Sequence, residues 1–369
     1  MNKPRWQVLR EWPPGFGGIE RVAHELGNVW RTPIYSFDAQ GDGHGSGGGS
    51  APDPLPVRYQ RRRLRCFSLG RLLIPLPGLS LWNLMRSSEP LHGHLPSPGG
   101  LLSLLLARVA RPKRTVSAHW HAFLQSGTGF QGRMFGFYQR LALLALPWLS
   151  EVVTTSPVLV DELVRCGCSR SRVVMLSCCL DEELEQQALA LPLAEGQANK
   201  AMQVLFIGRL DSYKRLDWLL SALAQLSEPW QLDVVGDGPR RQIFEQQAEG
   251  LPVRFHGRIY EASKLDCLAR ADVLVVPSDR SNEAFGIVQL EAMAAGRPAL
   301  AFRCFRSGMG WVGALPSLVW SQKPEDLAVV LQQLAVDRSL LLLLSVQARE
   351  RYQALFSRSV WGQQLQGLR

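Results

Sequence analysis

The second half of the chain alternates short apolar runs with longer segments in which apolar residues recur at helical spacing. The apolar runs are strand candidates and lie at residues 204–207, 232–235, 253–256, 273–276 and 299–302. The helix candidates between them lie at residues 216–226, 240–248, 263–271 and 284–295. Strands that alternate with helices of this length predict βαβ units and a parallel sheet covered on both faces.

The first half shows the same alternation with more interruptions. Its strand candidates lie at residues 6–10, 33–37, 115–118 and 151–155, and its helix candidates at residues 19–26, 101–110 and 133–146. Residues 41–56 read GDGHGSGGGSAPDPLP and are predicted to be a flexible insertion outside the core. Residues 58–77 mix six arginines with apolar side chains, a pattern expected of a segment that lies on a membrane surface.

A chain of 369 residues exceeds the ~250 to 300 residues at which one hydrophobic core stops growing, so two domains are expected. We place the first domain at residues 1–185, a weakly periodic linker at residues 186–200 and the second domain at residues 201–355. No apolar stretch approaches the ~18 to 20 residues that cross a bilayer. The first residues lack the apolar core and cleavage site of a secretory signal, so a cytosolic location is expected.

The net charge of +9 is concentrated in the first half, because residues 1–185 carry 21 Lys and Arg against 14 Asp and Glu. A basic surface attracts the phosphates of nucleic acid, anionic lipid or a pyrophosphate-linked acceptor, although it also keeps a protein in solution. No nucleic-acid recognition motif is present, so nucleic acid is not an expected partner. The seven cysteines lack CxxC pairs, so no metal site is expected.

Candidate chemistry lies in the loops that follow the strands, because parallel α/β sheets bind ligands at the carboxyl ends of their strands. Glu283 and Glu291 stand eight residues apart around the start of the predicted helix at residues 284–295. The amides of residues 285–288 form the start of that helix and are suited to bind phosphate. A diphosphate flanked by two sugars fits this spacing.

Residues 281–302 read SNEAFGIVQLEAMAAGRPALAF. This pattern resembles the signature of the retaining glycosyltransferases of family 4, which have the GT-B fold of two Rossmann-like domains facing across a cleft. The resemblance implies that Glu283 approaches the hydroxyls of a donor sugar and that Glu291 holds the ribose. The segment FIGRL with Lys214 is similar to the family's diphosphate-binding segment, which implies that Arg209 and Lys214 stabilise the leaving nucleotide without a metal or another cofactor.

Three further segments match the family's pattern in the expected order. VVGDGP, with Gly236 and Gly238, is similar to the nucleotide-side glycine loop; a dinucleotide fingerprint is the competing interpretation, but it lacks its third glycine. Residues 13–20 resemble a PxxGGxE entry loop, and residues 92–96 an HxHxP strand end. His119 and His121 resemble the family's HWH motif, and each is either a ligand-orienting or charged imidazole or a purely structural one.

The resemblance therefore assigns each candidate residue a role. Catalytic roles fall to His121, Glu283, Arg209 and Lys214, and acceptor-side positions to His94, His119 and His121. Donor binding is assigned to Gly17, Gly18, Gly208, Arg209, Lys214, Gly236, Gly238, Glu283, Ala284, Phe285, Gly286, Ile287, Val288 and Glu291.

Residues 303–313, RCFRSGMGWVG, resemble an SG-W-V loop of mannosyl- and rhamnosyl-transferring relatives in polysaccharide and lipopolysaccharide assembly. This implies GDP-mannose or a GDP-deoxyhexose as donor and a glycan or lipid-linked acceptor at the cytoplasmic face of a membrane. The first domain would bind the acceptor and contact anionic lipid, and a last helix at residues 356–369 would return to it. The alternatives are a UDP-sugar enzyme or epimerase of the same architecture, and a non-catalytic sugar-nucleotide-binding partner of an assembly complex.

Overall fold

The computed structural model describes residues 4–11, 17–37, 56–69, 72–125, 129–194 and 201–368. The chain forms two compact units, one of Met1–Ser177 with Gly362–Arg369 and the other of Cys178–Trp361. The predicted insertion at residues 41–56 lies outside the described residues except for its last position, and residues 13–16 of the segment 13–20 lie outside them as well. The observed division after Ser177 precedes the predicted boundary at residue 185.

The first unit is built on a parallel sheet. Its strands are β1 (Trp6–Leu9), β2 (Ile34–Ser36), β3 (Arg61–Arg63), β4 (Cys66–Leu69), β5 (Leu72–Pro75), β6 (Leu91–Leu95), β7 (Val116–Trp120), β8 (Glu151–Thr154) and β9 (Val173–Met175). The sheet has the order β3-β2-β1-β6-β7-β8-β9, while β4 and β5 pair antiparallel with each other. The strand order reverses between β1 and β6, the kind of position at which such sheets bind ligands.

The helices of the first unit cover this sheet. They are α1 (Gly18–Trp30), α2 (Leu79–Arg86), α3 (Pro98–Ala110), α4 (Phe130–Ala145) and α5 (Pro157–Arg165). Residues 58–77, expected to lie on a membrane surface, supply β3, which pairs with β2, and the antiparallel pair β4 and β5. The expected contact with a membrane stays a prediction.

The second unit has a five-stranded parallel sheet. Its strands are β10 (Met202–Ile207), β11 (Trp230–Val235), β12 (Val253–Gly257), β13 (Val273–Val276) and β14 (Ala299–Ala301). Their order is β12-β11-β10-β13-β14, so this order also reverses, here between β10 and β13. Each strand coincides with an apolar run of the sequence to within two residues, and the predicted α/β fold with two Rossmann-like sheets is confirmed.

Helix α6 of the second unit precedes these strands, and the other helices lie between and after them. They are α6 (Glu182–Ala190), α7 (Leu216–Leu223), α8 (Arg241–Gln247), α9 (Glu261–Arg270), α10 (Val288–Ala294), α11 (Met309–Val312), α12 (Leu327–Val336) and α13 (Arg338–Leu355). Helix α10 is shorter than the predicted helix at residues 284–295. Gly286 has a φ of 73°, in the left-handed region, and this conformation is incompatible with a continuous right-handed helix.

The chain passes between the two units at two places, after Ser177 and after Trp361, and neither coincides with a predicted boundary. Helix α6 occupies Glu182–Ala190, so the predicted linker at 186–200 begins inside a helix; residues 195–200 lie outside the described residues. Helix α14 (Arg358–Gln366) contains the second division, since its residues from Gly362 onward belong to the first unit. Gln364 Oε1 there accepts hydrogen bonds from the amide and the hydroxyl of Ser177, each at 3.0 Å.

No single helix within the described ranges is long and apolar enough to cross a bilayer. Pro324–Val336 and Arg338–Gln366 reach that length and composition only when taken together, and they are bent by 104°.

The loops after β10 and β11 pack backbone against backbone. A Cβ atom on Gly236 would lie 1.9 Å from the carbonyl oxygen of Gly208, and one on Gly238 would lie 2.4 Å from that of Leu210. Gly236 also has a φ of 129°. These two glycines are therefore required for two strand ends to approach each other, whatever ligand they also admit.

We expect Gly236→Ala to destabilise the second unit more than Gly250→Ala does. Both glycines have positive φ, which costs an alanine about 1–2 kcal/mol, but a Cβ at Gly250 meets no atom within 4 Å. Only Gly236→Ala must also displace the Gly208 loop. Urea denaturation of the two variants compares their stabilities. Equal midpoints would contradict the expectation, because they would show that the Gly208 loop moves aside without loss of stability.

Candidate functional site

Two loops at the carboxyl edge of the second sheet carry charged side chains that meet. Lys214 ends the 3-10 turn Ser212–Lys214 that follows β10, and Glu283 lies in the loop that follows β13. The Lys214 ammonium donates a hydrogen bond to the Glu283 carboxylate. Because the strand order reverses between β10 and β13, this pair lies where doubly wound sheets bind ligands.

The Lys214–Glu283 pair is largely buried, and Lys214 keeps its charge there. The side chains of Lys214 and Glu283 are 10% and 17% exposed. Burial acts to lower the pKa of Lys214, but the attraction of Glu283 and Tyr213 outweighs it, so the pKa is raised. Lys214 is therefore a fixed cation at neutral pH, held beside a carboxylate at the end of β10.

Arg209 supplies a second cation in the same loop, and its side chain is 66% exposed. Its nearest carboxylate is that of Asp211, with 3.8 Å between Nε and Oδ2. Burial raises the pKa of the Tyr213 phenol, and the charges of Lys214, Glu283, Asp211 and Arg209 all act on it as well. The structure thus gathers Arg209, Lys214 and Glu283 around Tyr213, a residue that the sequence analysis did not single out.

The segment between Glu283 and α10 presents free amides. Within the described part of the chain, the N–H groups of residues 284–287 have no hydrogen-bond acceptor. The opposite side of this segment is held in place, because the Gly308 amide donates to the Ala284 oxygen at 2.7 Å and the Ser307 hydroxyl to the Glu283 oxygen at 2.6 Å. Ser307 and Gly308 are the first residues of the SG-W-V segment, which here positions the Glu283 loop.

Glu291 lies apart from this group, in the first turn of α10. It is 2% exposed, and its carboxylate pairs with the Lys264 ammonium at 2.9 Å. Lys264, on α9, also pairs with Glu261 at 2.6 Å. The two glutamates of the signature therefore bind different lysines, and the role of Glu291 in holding a ribose stays a prediction.

The first unit holds a cluster of four imidazoles, which we call the histidine cluster: His92 and His94 on β6, His119 on β7, and His121 directly after β7. All four are at most 6% exposed. The rings of His119 and His121 stack with centroids 4.0 Å apart, and His94 Nδ1 lies 2.8 Å from His121 Nε2. The three residues predicted on the acceptor side are thus in mutual contact. Gly17 and Gly18 lie at the start of α1 in the same unit.

A side chain from β1 determines which ring nitrogens of the cluster carry protons. Gln7 Oε1 lies 2.8 Å from His94 Nε2, and because the oxygen accepts, His94 carries its proton on Nε2. His94 Nδ1 is then an acceptor and receives the Nε2 proton of His121. The neutral His121 ring therefore has its lone pair on Nδ1. Gln7 was not predicted, and its place in an apolar strand gave no signal of this role.

Burial keeps the histidine cluster uncharged at neutral pH. It lowers the pKa of His94 from 6.5 to about 3, and it lowers those of His92, His119 and His121 well below the usual value. The neighbouring imidazoles lower the pKa values of those three further. Of the two predicted roles for His121, hydrogen bonding fits this environment and a positive charge does not.

Among the described residues, two groups of side chains have ligand atoms close enough to share a metal ion. They are His92 with His94 and His119, and Asp233 with His256 and Cys267, each with its ligand atoms within 4.8 Å of one another. The predicted independence of metal remains a prediction.

Comparisons with known proteins agree with this arrangement of two units. The model of the family described as Glycosyltransferase Family 4 matches residues 16–184, and that of Glycosyl transferases group 1 matches residues 201–337. The two parallel sheets and the site at the β10–β13 reversal define a GT-B protein. The chain belongs to these glycosyltransferase families, as the signature around Glu283 predicted.

Individual relatives match only part of the chain. The sulfoquinovosyl transferase SQD2 of Arabidopsis thaliana is 31% identical over 38% of this chain and 24% of its own length. A GDP-mannose-dependent alpha-(1-6)-phosphatidylinositol dimannoside mannosyltransferase of Mycobacterium tuberculosis is 37% identical over 27% of this chain and 28% of its own. The chain thus spans less than a third of either relative. The crystal structure of Anabaena HepE in complex with UDP has a TM-score of 0.73 at 16% identity, covers 98% of both chains and shares the fold.

We expect the histidine cluster to make the first unit less stable as the pH falls. The pKa values of the four histidines are lower in the folded than in the unfolded protein, so their contribution to stability is complete above the unfolded pKa of about 6.5. This contribution is lost as the pH falls from there to about 3, the pKa of His94 in the folded protein. For each histidine that is neutral in the folded state, the free energy of unfolding falls by up to about 1.4 kcal/mol for every unit by which the pH is lowered across that window. Urea denaturation at pH 7.5, 6 and 5 measures the slope.

His119→Phe removes one titrating group and should reduce that slope, whereas Ser103→Ala, another buried change in the first unit, should leave it unchanged. An unaltered slope in His119→Phe would contradict the neutral cluster.

Proposed function

We propose that the protein is a retaining glycosyltransferase that moves a hexose from a nucleoside-diphosphate sugar to a glycan or lipid-linked acceptor. The observation that carries this proposal is the group formed by Arg209, Lys214, Glu283 and the free amides of residues 284–287. Cations and amides together are suited to a diphosphate, and a carboxylate is suited to sugar hydroxyls.

The contact between Lys214 and Glu283 fits the covalent structure of such a donor. In a nucleoside-diphosphate sugar the phosphate and the sugar ring are adjacent, so the side chains that bind them must also be adjacent. Lys214 would bind the diphosphate and Glu283 the hydroxyls of the transferred sugar. The Arg209 side chain is exposed, and its contact with Asp211 is long at 3.8 Å, so its planar guanidinium can move to bind the diphosphate through two hydrogen bonds.

In this mechanism the negative charge that develops on the leaving nucleotide is stabilised by Arg209, Lys214 and the amides of residues 284–287. The leaving phosphate takes the proton of the attacking acceptor hydroxyl, and the new glycosidic bond forms on the face from which the nucleotide departs. His121 is proposed to hydrogen-bond the reacting sugar through its Nδ1 lone pair. No step requires a metal or another cofactor.

GDP-mannose or a GDP-deoxyhexose is the preferred donor. The SG-W-V resemblance supports this choice, as does similarity to a mannosyltransferase described as GDP-mannose-dependent. We propose that the acceptor is an intermediate of cell-surface polysaccharide or lipopolysaccharide synthesis at the cytoplasmic face of a membrane. A UDP-sugar is the alternative donor, and initial rates of hydrolysis of GDP-mannose and UDP-glucose by the purified protein separate the two.

We expect Arg209→Ala and Lys214→Met each to lower turnover of the preferred donor by at least about 10²-fold, the usual loss when one group that stabilises transition-state charge is removed. Arg254→Ala, which removes an exposed cation on β12, is the matched control and should keep its rate. Thermal melting of each variant checks the fold. Unchanged turnover in both site variants would overturn the roles assigned to these residues, and no turnover by the unmodified protein would favour a non-catalytic binding partner.

We also expect turnover to persist in EDTA, because the proposed charge stabilisation comes from side chains and amides. Rates measured with and without chelator give the answer. Loss of activity that Mg²⁺ or Zn²⁺ restores would show instead that a metal takes part.

A further inference from the structure

Helix α4 in the first unit presents a row of large apolar side chains to solvent. Six large apolar side chains on it and on the 3-10 turn after it are 47% to 81% exposed. They are Phe130, Met134, Phe137, Leu141, Leu144 and Trp148, and we call them the α4 stripe. Successive members are four, three, four, three and four residues apart, so the five on α4 lie within an arc of about 80°.

The opposite side of α4 holds the helix on the unit by polar contacts. Gln139 is 7% exposed, and its Oε1 accepts the amide proton of Leu124. The Tyr138 hydroxyl accepts the amide proton of Ser97 at 2.8 Å. The outward direction of the α4 stripe is therefore fixed by partly buried hydrogen bonds and by the buried Ala142, and an exposed apolar face of this size marks an interaction site.

The charge of the surrounding sequence selects the partner. Residues 56–150 contain 13 of the chain's 41 Lys and Arg but only one of its 32 Asp and Glu, Glu89, for a net charge of +12. The rest of the chain carries 28 Lys and Arg and 31 Asp and Glu. The whole basic excess thus lies in the segment that contains α4, and exposed Arg133 and Arg140 lie along one edge of the α4 stripe.

The neighbouring helices extend the exposed apolar surface. Helix α3 packs against both α4 and α2. It exposes Leu102, Leu106 and Val109, and α2 exposes Leu79 and Trp82. Aromatic and aliphatic side chains edged by arginines are the composition of helices that lie in the interface of a lipid bilayer. A second copy of the chain would bring a segment of the same net charge of +12 and be repelled.

We propose that the α4 stripe docks on the surface of an anionic lipid bilayer, with its apolar side chains below the headgroups and Arg133 and Arg140 among the phosphates. The docking surface is independent of the donor site around Lys214. It would keep the first unit at the membrane whatever sugar the enzyme transfers.

Flotation with vesicles of phosphatidylcholine, with and without about 30% phosphatidylglycerol, tests this proposal. We expect the whole protein to float with the anionic vesicles, and Phe130→Gln/Leu144→Gln/Trp148→Gln to lower the bound-to-free ratio at least tenfold. Arg133→Gln/Arg140→Gln should lower binding to the anionic vesicles and weaken its dependence on salt. The matched control is Val319→Gln/Val329→Gln/Val336→Gln, which changes equally exposed side chains of the second unit and should bind as the original does.

Donor hydrolysis by the triple variant should remain unchanged, which separates membrane docking from the proposed catalytic function. The proposal is overturned if the original protein stays in the aqueous phase, or if the triple variant floats equally well. It is also overturned if sedimentation shows a dimer that the triple variant dissociates, because the α4 stripe would then be covered by a second copy.

Discussion

Parallel pairing determines where this protein can have chemistry. Every strand of a parallel sheet delivers its carboxyl end to the same edge, and the helices on both faces leave that edge as the accessible one. Lys214 and Glu283 are 69 residues apart in the chain, yet they meet because β10 and β13 are neighbours in the sheet. In the first unit Gln7, His94 and His121 meet for the same reason, since β1, β6 and β7 are adjacent. The glycines after β10 and β11 then allow those loops to approach closely.

Burial has opposite consequences for the charged groups of the two units. In the second unit Lys214 and Lys264 each lie against a carboxylate, and for Lys214 this attraction outweighs burial and raises the pKa. In the first unit the four histidines have no carboxylate partner among the described contacts, and burial therefore makes them neutral. A neutral imidazole chain can orient a ligand hydroxyl by hydrogen bonding without attracting a second anion. The cations proposed to stabilise a leaving diphosphate, Arg209 and Lys214, belong to the second unit.

The sequence predicted the sheets better than the details of the site. Apolar runs identify β10 to β14 because a strand buried on both faces needs continuous apolar residues. The motifs singled out Glu283 and Lys214, which the structure brings into contact, but the predicted start of α10 was wrong because a single positive φ at Gly286 decides it. Three contacts had no local signal: the packing of Tyr213 beside two cations, the pairing of Glu291 with Lys264, and the control of His94 by Gln7. Each depends on which strands and helices become neighbours, and periodicity does not contain that information.

Helix α4 shows the same limit at the surface. Its apolar spacing predicts a helix, and the ordinary assumption is that the apolar side faces the core. Here the side of α4 that packs on the unit carries the buried Ala142 and Gln139, and Gln139 and Tyr138 accept hydrogen bonds from backbone amides of the fold. These contacts fix the rotation of the helix and leave its large apolar side chains facing outward. Residues 56–150 carry a net charge of +12, and an excess of this size acts over a longer range than a lysine that is paired with a carboxylate. The proposed docking of the first unit on an anionic surface follows from that excess, whereas the paired charge of Lys214 is suited to a ligand at short range.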